Sequence, residues 1–143
     1  MNAGQIAPPE GWFIDNNGGP FTELIGPILR KADTTDGVVK GMRIEHRHTN
    51  ANGVAHGGVL LALMDNLMGT AIVVAAPATN YVTAAMASSF IGAARLGEFV
   101  EGAAAITRQG RNLVFIRATL STDGRTLLTG EATFARIAAP PPR

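Results

Sequence analysis

From Gly57 to Ala78 the chain carries one charge, Asp65, in an otherwise apolar run. That run restricts the fold more than any other feature. Its length is close to the ~20 residues that cross a bilayer as a helix. A central Asp opposes that use by about 2.5–3.5 kcal/mol, and Asn66 adds to the opposition. The rest of the chain alternates like a sheet protein, so the segment reads as a helix enclosed by protein on all sides. Gly57 and Gly58 start it and Pro77 stops it, which predicts a helix over 57–75. At 1.5 Å per residue it would be about 28 Å long. No membrane partner is expected.

What encloses the helix is read from the flanking text. In "DGVVKGMRIEHRHT", Val38, Met42, Ile44 and His46 fall on one face of a strand, with Lys40 the polar exception among them. "TTDG" before it reads as a turn. After Pro77 three further strands are expected in "NYVTAAMASSFIG", "GEFVEGAAAITRQ" and "NLVFIRATLS", and a fourth in "TLLTGEATFARIA". "QGRN" and "TDGR" supply the tight turns between the last three. In the last strand Leu128, Ala132 and Phe134 oppose Thr129, Glu131 and Thr133. The expected class is α+β: a curled antiparallel sheet of five to six strands around one long central helix. One helix and one sheet leave apolar surface open, so a second copy of the chain is expected to cover it.

A chain of 143 residues, 46% hydrophobic and 16% charged, suits one domain with a real core. Residues 1–20, rich in Gly, Pro and Asn, read as an irregular N-terminal arm with a helical turn near "PEGWFIDN". Residues 21–138 form the domain, and 139–143 a frayed tail. A net charge of +1 gives no bias toward nucleic acid. The absence of cysteine excludes thiolate catalysis, disulfides and Cys-based zinc sites. It also fits a reducing compartment, and with an N-terminus that does not read as a signal peptide the expected location is cytoplasmic.

Two groups in the central segment suit chemistry. The first N–H groups of a helix have no partner within it and carry partial positive charge. Without a Cβ, Gly57 and Gly58 would let an oxygen bearing negative charge approach that end closely, or would only make a tight turn. Asp65 has Leu61, Ala62, Met68 and Gly69 as its helical neighbours, and no Lys or Arg within a turn. A buried unpaired carboxylate is costly. It is either bonded to backbone or water in a structural role, or kept for use. Gly57 and Asp65 are eight residues apart, about 12 Å along the axis, too far to act on one carbonyl. Acting together, they must come from different subunits with antiparallel helices. His46, His48 and His56 lack an acid spaced to complete a metal site, so no metal is expected.

"N-x-x-G-x-x-H-G-G" (Asn50, Gly53, His56, Gly57, Gly58), followed seven residues later by Asp65, resembles the signature of hot-dog-fold acyl-CoA thioesterases, nearest to the phenylacetate-pathway (PaaI-like) branch. "YVTAAMASSFIGAARLGEFVEGAAAITRQGRNLVF" is similar to that branch's downstream pattern, and the likeness covers roughly residues 20–137. The resemblance implies hydrolysis of an acyl- or aryl-acyl-CoA, with Asp65 as nucleophile or general base and the Gly57 N–H polarising the carbonyl. It implies that Asn50 and His56 order the site and that Thr83 helps place the attacking water. Gly58, Leu61 and Met68 would line the substrate, with Arg108 and Arg111 near the CoA phosphates. Coenzyme A is then part of the substrate and no cofactor is needed. The expected assembly is a homodimer, extended to a homotetramer. A hot-dog hydratase or dehydratase and a non-catalytic acyl-CoA-binding module are the competing functions.

Overall fold

The structure, a computed structural model, describes residues 7–32 and 37–139. Its strands are β1 (Trp12–Ile14), β2 (Leu29–Lys31), β3 (Val39–Arg43), β4 (Asn80–Phe90), β5 (Phe99–Gln109), β6 (Leu113–Thr122) and β7 (Arg125–Ile137). Two helices, α1 (Gly19–Ile25) and α2 (Gly57–Ala75), complete it. One antiparallel sheet takes the order β1-β2-β3-β5-β6-β7-β4. It curls round α2, which touches β3, β4, β5 and β6. This is the hot-dog arrangement the resemblance implied.

The strands follow the alternation in the sequence. Along β6, Val114, Ile116, Ala118, Leu120 and Thr122 are buried, while Leu113, Phe115, Arg117 and Thr119 are exposed. The β6–β7 hairpin turns on Asp123 (φ 45°) and Gly124 (φ 76°). Both are left-handed, as a two-residue turn that matches strand twist requires. Leu60, Leu63, Met64, Leu67, Met68 and Ile72 are the buried residues of α2. Burying each such side chain is worth about 1.5–3 kcal/mol. The helix can sit this close because the strand beneath it lacks a side chain at Gly130, where a Cβ would lie 2.5 Å from Met64 Sδ. The apolar length of α2 is thus that of a core helix, although it meets the bare length and hydropathy requirement for a span.

Three expectations are corrected. No helical turn forms at "PEGWFIDN"; Trp12–Ile14 is a strand, paired with Leu29–Lys31, and the Trp12 ring meets the Phe99 ring edge-on at 5.0 Å. The helical turn comes later, at Gly19–Ile25, where Pro20 takes a first-turn position. The sheet has seven strands among the described residues rather than five to six, because β1 and β2 are only three residues long. His46 does not join the inner face of β3: the chain leaves the strand and makes a 3-10 turn over His46–His48, with His46 exposed. The "TTDG" turn falls mostly on residues 33–36, and the tail from Pro140 onward also lies outside the described residues.

Lys40 keeps its inward place, with only 2% of its side chain exposed. Its Nζ lies 2.7 Å from Asp15 Oδ2, and that carboxylate is 3% exposed. Burial alone would raise the Asp15 carboxyl, but the hydrogen bond and charge of Lys40 hold it below the usual carboxylate range. A carboxyl depressed in the folded state stabilises above its unfolded value of about 3.9. That contribution fades as the pH falls through the lower folded value. Asp15→Asn is therefore expected to lower the thermal midpoint at neutral pH and to flatten its fall between about pH 4 and pH 2. Circular dichroism melts across that range check it; parallel curves for the two proteins would contradict the depressed carboxyl.

Candidate active site

The loop before α2 is folded by its own polar groups. Asn50 Oδ1 accepts the Asn52 N–H at 2.9 Å, and Asn50 O accepts the Gly53 N–H at 3.0 Å. Gly53 has φ 74°, the left-handed conformation that glycine favours. The Ala55 N–H then donates to Ala94 O at 2.8 Å, docking the loop on the segment after β4. His48 is spent on structure: its Nδ1 accepts the Glu45 N–H at 2.9 Å, so Nε2 carries the proton and donates to Ile25 O at 2.7 Å.

His56 is the N-cap of α2. Its Nδ1 accepts the Gly58 N–H at 2.8 Å, and its carbonyl accepts the Val59 N–H at 3.0 Å. Of the first three N–H groups of the helix, only that of Gly57 has no acceptor among the described residues. The ring of Phe90, at the end of β4, lies beside it: a Cβ on Gly57 would stand 3.0 Å from Phe90 Cε1. Glycine here therefore gives Phe90 room as well as keeping the donor open. Phe90 was not singled out from the sequence, since no local pattern links it to a residue 33 positions earlier.

Asp65 lies on the other half of the feature. It is half-buried, and its Oδ1 accepts the Thr83 hydroxyl at 2.5 Å. The register of β4 against β7 slips between Thr83 and Ala85, an irregularity beside the residue that meets Asp65. With Oδ1 engaged, Oδ2 is left to receive a proton or attack an electrophile.

Leu61 packs half-buried against the core. Met68 does not come to the surface around Asp65; it is fully buried, with 0% exposure. Arg108 and Arg111 are exposed at the end of β5 and in the turn after it. Gln109 pairs with Val114, Val114 with Phe134 and Phe134 with Thr83, so the two arginines share the Thr83 end of the sheet, three strands away. Phe90 lies at the other end, paired with Leu128. One chain therefore presents the Asp65–Thr83 pair and the Gly57–Phe90 corner as separate places. A cavity of about 730 Å3 between the N-terminal segment, α1 and β2–β3 contains none of these four residues.

The family described as "Thioesterase superfamily" matches residues 52–129, more than half of the chain and all of α2. A Pseudomonas aeruginosa protein with a provisional esterase name is 30% identical over 127 residues, 88% of this chain and 95% of that protein. Human acyl-coenzyme A thioesterase 13 is 29% identical over 101 residues, 71% of this chain and 72% of its own. The crystal structure of zebrafish thioesterase superfamily member 2 superposes with a TM-score of 0.75 at 26% identity, covering 85% of this chain and 89% of that one. The chain belongs to the thioesterase superfamily and is a thioester hydrolase.

Proposed function

We propose that the substrate is an acyl- or aryl-acyl-CoA and that each active site is built by two copies of the chain. The observation that carries this is the open Gly57 N–H at one end of a helical segment whose other end holds Asp65 on Thr83. The name of the human relative supports the CoA ester as the substrate class, and the PaaI-like branch rests on the motif. The thioester oxygen accepts from the Gly57 N–H of one copy, which stabilises the charge that develops there. Asp65 of the other copy takes a proton from water, whose oxygen adds to the carbonyl carbon. Collapse breaks the carbon–sulfur bond, and the thiolate of CoA leaves and is protonated. Direct attack by Asp65 Oδ2 would instead give a mixed anhydride that water then opens. His56 and Asn50 hold the loop, Thr83 orients the carboxylate, and Arg108 and Arg111 supply positive charge for phosphates.

β4 suits the pairing this requires. It is the last strand of the sheet, eleven residues long, and its outer edge has no strand beside it among the described residues. Long open edges invite pairing with another chain. An antiparallel union of β4 with a second β4, its two-fold axis passing between Met86 and Ala87, sets Thr83 of one copy opposite Phe90 of the other. That register carries each Asp65 toward the opposite Gly57. A dimer of such dimers gives the tetramer.

Asp65→Asn is expected to lower kcat by about 10³-fold or more with an unchanged melt, read as thiol release from a series of acyl- and aryl-acyl-CoAs. Hydrolysis at the wild-type rate would sink the assignment. Light scattering at micromolar concentration should give a dimer or tetramer mass; an active monomer would remove the two-chain site. Gly57→Ala should raise KM and lower kcat together. Adding Phe90→Ala to it should restore the thermal midpoint but not the rate, separating crowding of the ring from hindrance of the substrate.

A further inference from the structure

Apolar packing tells a helix which elements to touch but says little about its rotation when every side is apolar. α2 is apolar on both its sides: Leu60, Leu63, Met64, Leu67, Met68 and Ile72 form its buried face, while Val59, Ala62 and Val73 stand on the opposite one. Among the described residues, its directional side-chain bonds at mid-length are made by two consecutive residues. Asp65 accepts from Thr83 on β4, and Asn66 Oδ1 accepts from Lys40 Nζ on β3 at 2.5 Å. β3 and β4 are separated in the sheet by β5, β6 and β7, so the two bonds reach the helix from opposite sides of the curl. Asn66 Nδ2 also donates to Thr22 Oγ1 at 3.3 Å, and Thr22 in turn donates to Gly18 O. Lys40 itself is fixed by the buried Asp15 carboxylate.

We infer that Lys40, held by Asp15 and acting through Asn66, is a positioning residue that sets the rotation of α2 and so aims the Asp65 carboxylate. Buried ionic groups are costly, and apolar residues of like volume often replace them without loss of stability. Their best-attested use is to fix register, and a helix whose open side is apolar as well as its buried side gains a fixed rotation from it. The role in hydrolysis rests on the reading of Asp65 given above; the aim of its carboxylate does not.

Stability and aim are separable by experiment. The double variant Lys40→Met, Asp15→Leu removes the ion pair but keeps the volume, and Asn66→Ala removes the tether but keeps the ion pair. The 13C carboxyl resonance of Asp65 reports its bond to Thr83, with Thr83→Val marking the resonance when that bond is absent. The double variant is expected to melt near the wild type, to show Asp65 displaced toward its resonance in Thr83→Val, and to lose on the order of 10- to 100-fold in kcat with KM little changed. Asn66→Ala should displace the same resonance. A wild-type Asp65 resonance in both proteins would overturn the inference. If the double variant does not fold, Asn66→Ala decides. If the wild-type protein cleaves no acyl-CoA, a displaced resonance still upholds the positioning role and an undisturbed one still rejects it.

Discussion

A nineteen-residue helix with apolar side chains on every side is stable in water only inside something. That need organises the molecule. The sheet must be long enough to curl, so β4 to β7 run ten to thirteen residues each. The strands must also come close, and Gly102 and Gly130 remove the side chains that would stand between sheet and helix. Closing the curl further falls to β1, β2 and α1, short pieces contributed by the N-terminal segment. Among the apolar surface the single chain leaves uncovered is β4: Val82 and Phe90 on it are about half exposed, as are Val73 and Val74 near the end of α2. An enclosure left open along one long strand is suited to a second enclosure.

Polar groups appear in this interior only where they fix geometry. His48 spends both ring nitrogens on backbone, and Lys40 joins an arm, a strand and a helix; the exposed His56 caps the helix from outside this interior. Hydrophobic burial supplies most of the free energy without specifying direction. Hydrogen bonds add about 1 kcal/mol each but impose distance and angle. Division of labour between the two explains why the carboxylate of Asp65 can sit in an apolar segment without loss of order: Asp65 and the neighbouring Asn66 are each tied to a strand, through Thr83 and Lys40.

Much of this was legible in the sequence, for physical reasons that differ by residue. The bounds of α2 were readable because Gly57-Gly58 and Pro77 punctuate a long apolar run. The β6–β7 hairpin was readable because Asp-Gly favours the left-handed turn found there. β1 and β2 were not, since three residues are too few to display a period of two. Lys40 stood out as an exception on an apolar face, yet its partner Asp15 lies 25 positions earlier and no local pattern joins them. The family resemblance placed Met68 at the substrate, and the curl of the sheet buries it completely in the single chain. The family resemblance named Thr83 for placing the attacking water; its bond to Asp65 was not legible, because only tertiary structure brings the strand to the helix.

The spacing of Gly57 and Asp65 on one helix has a genetic consequence under the two-chain reading. Each copy gives its donor to one site and its acid to another. Consider a dimer of one chain without the acid and one chain without the donor. Both lesions fall in the same site, and the other site is whole. Two alleles, each inactive alone, would then restore hydrolysis when expressed together. Two alleles that both lack the acid would not, however they are mixed.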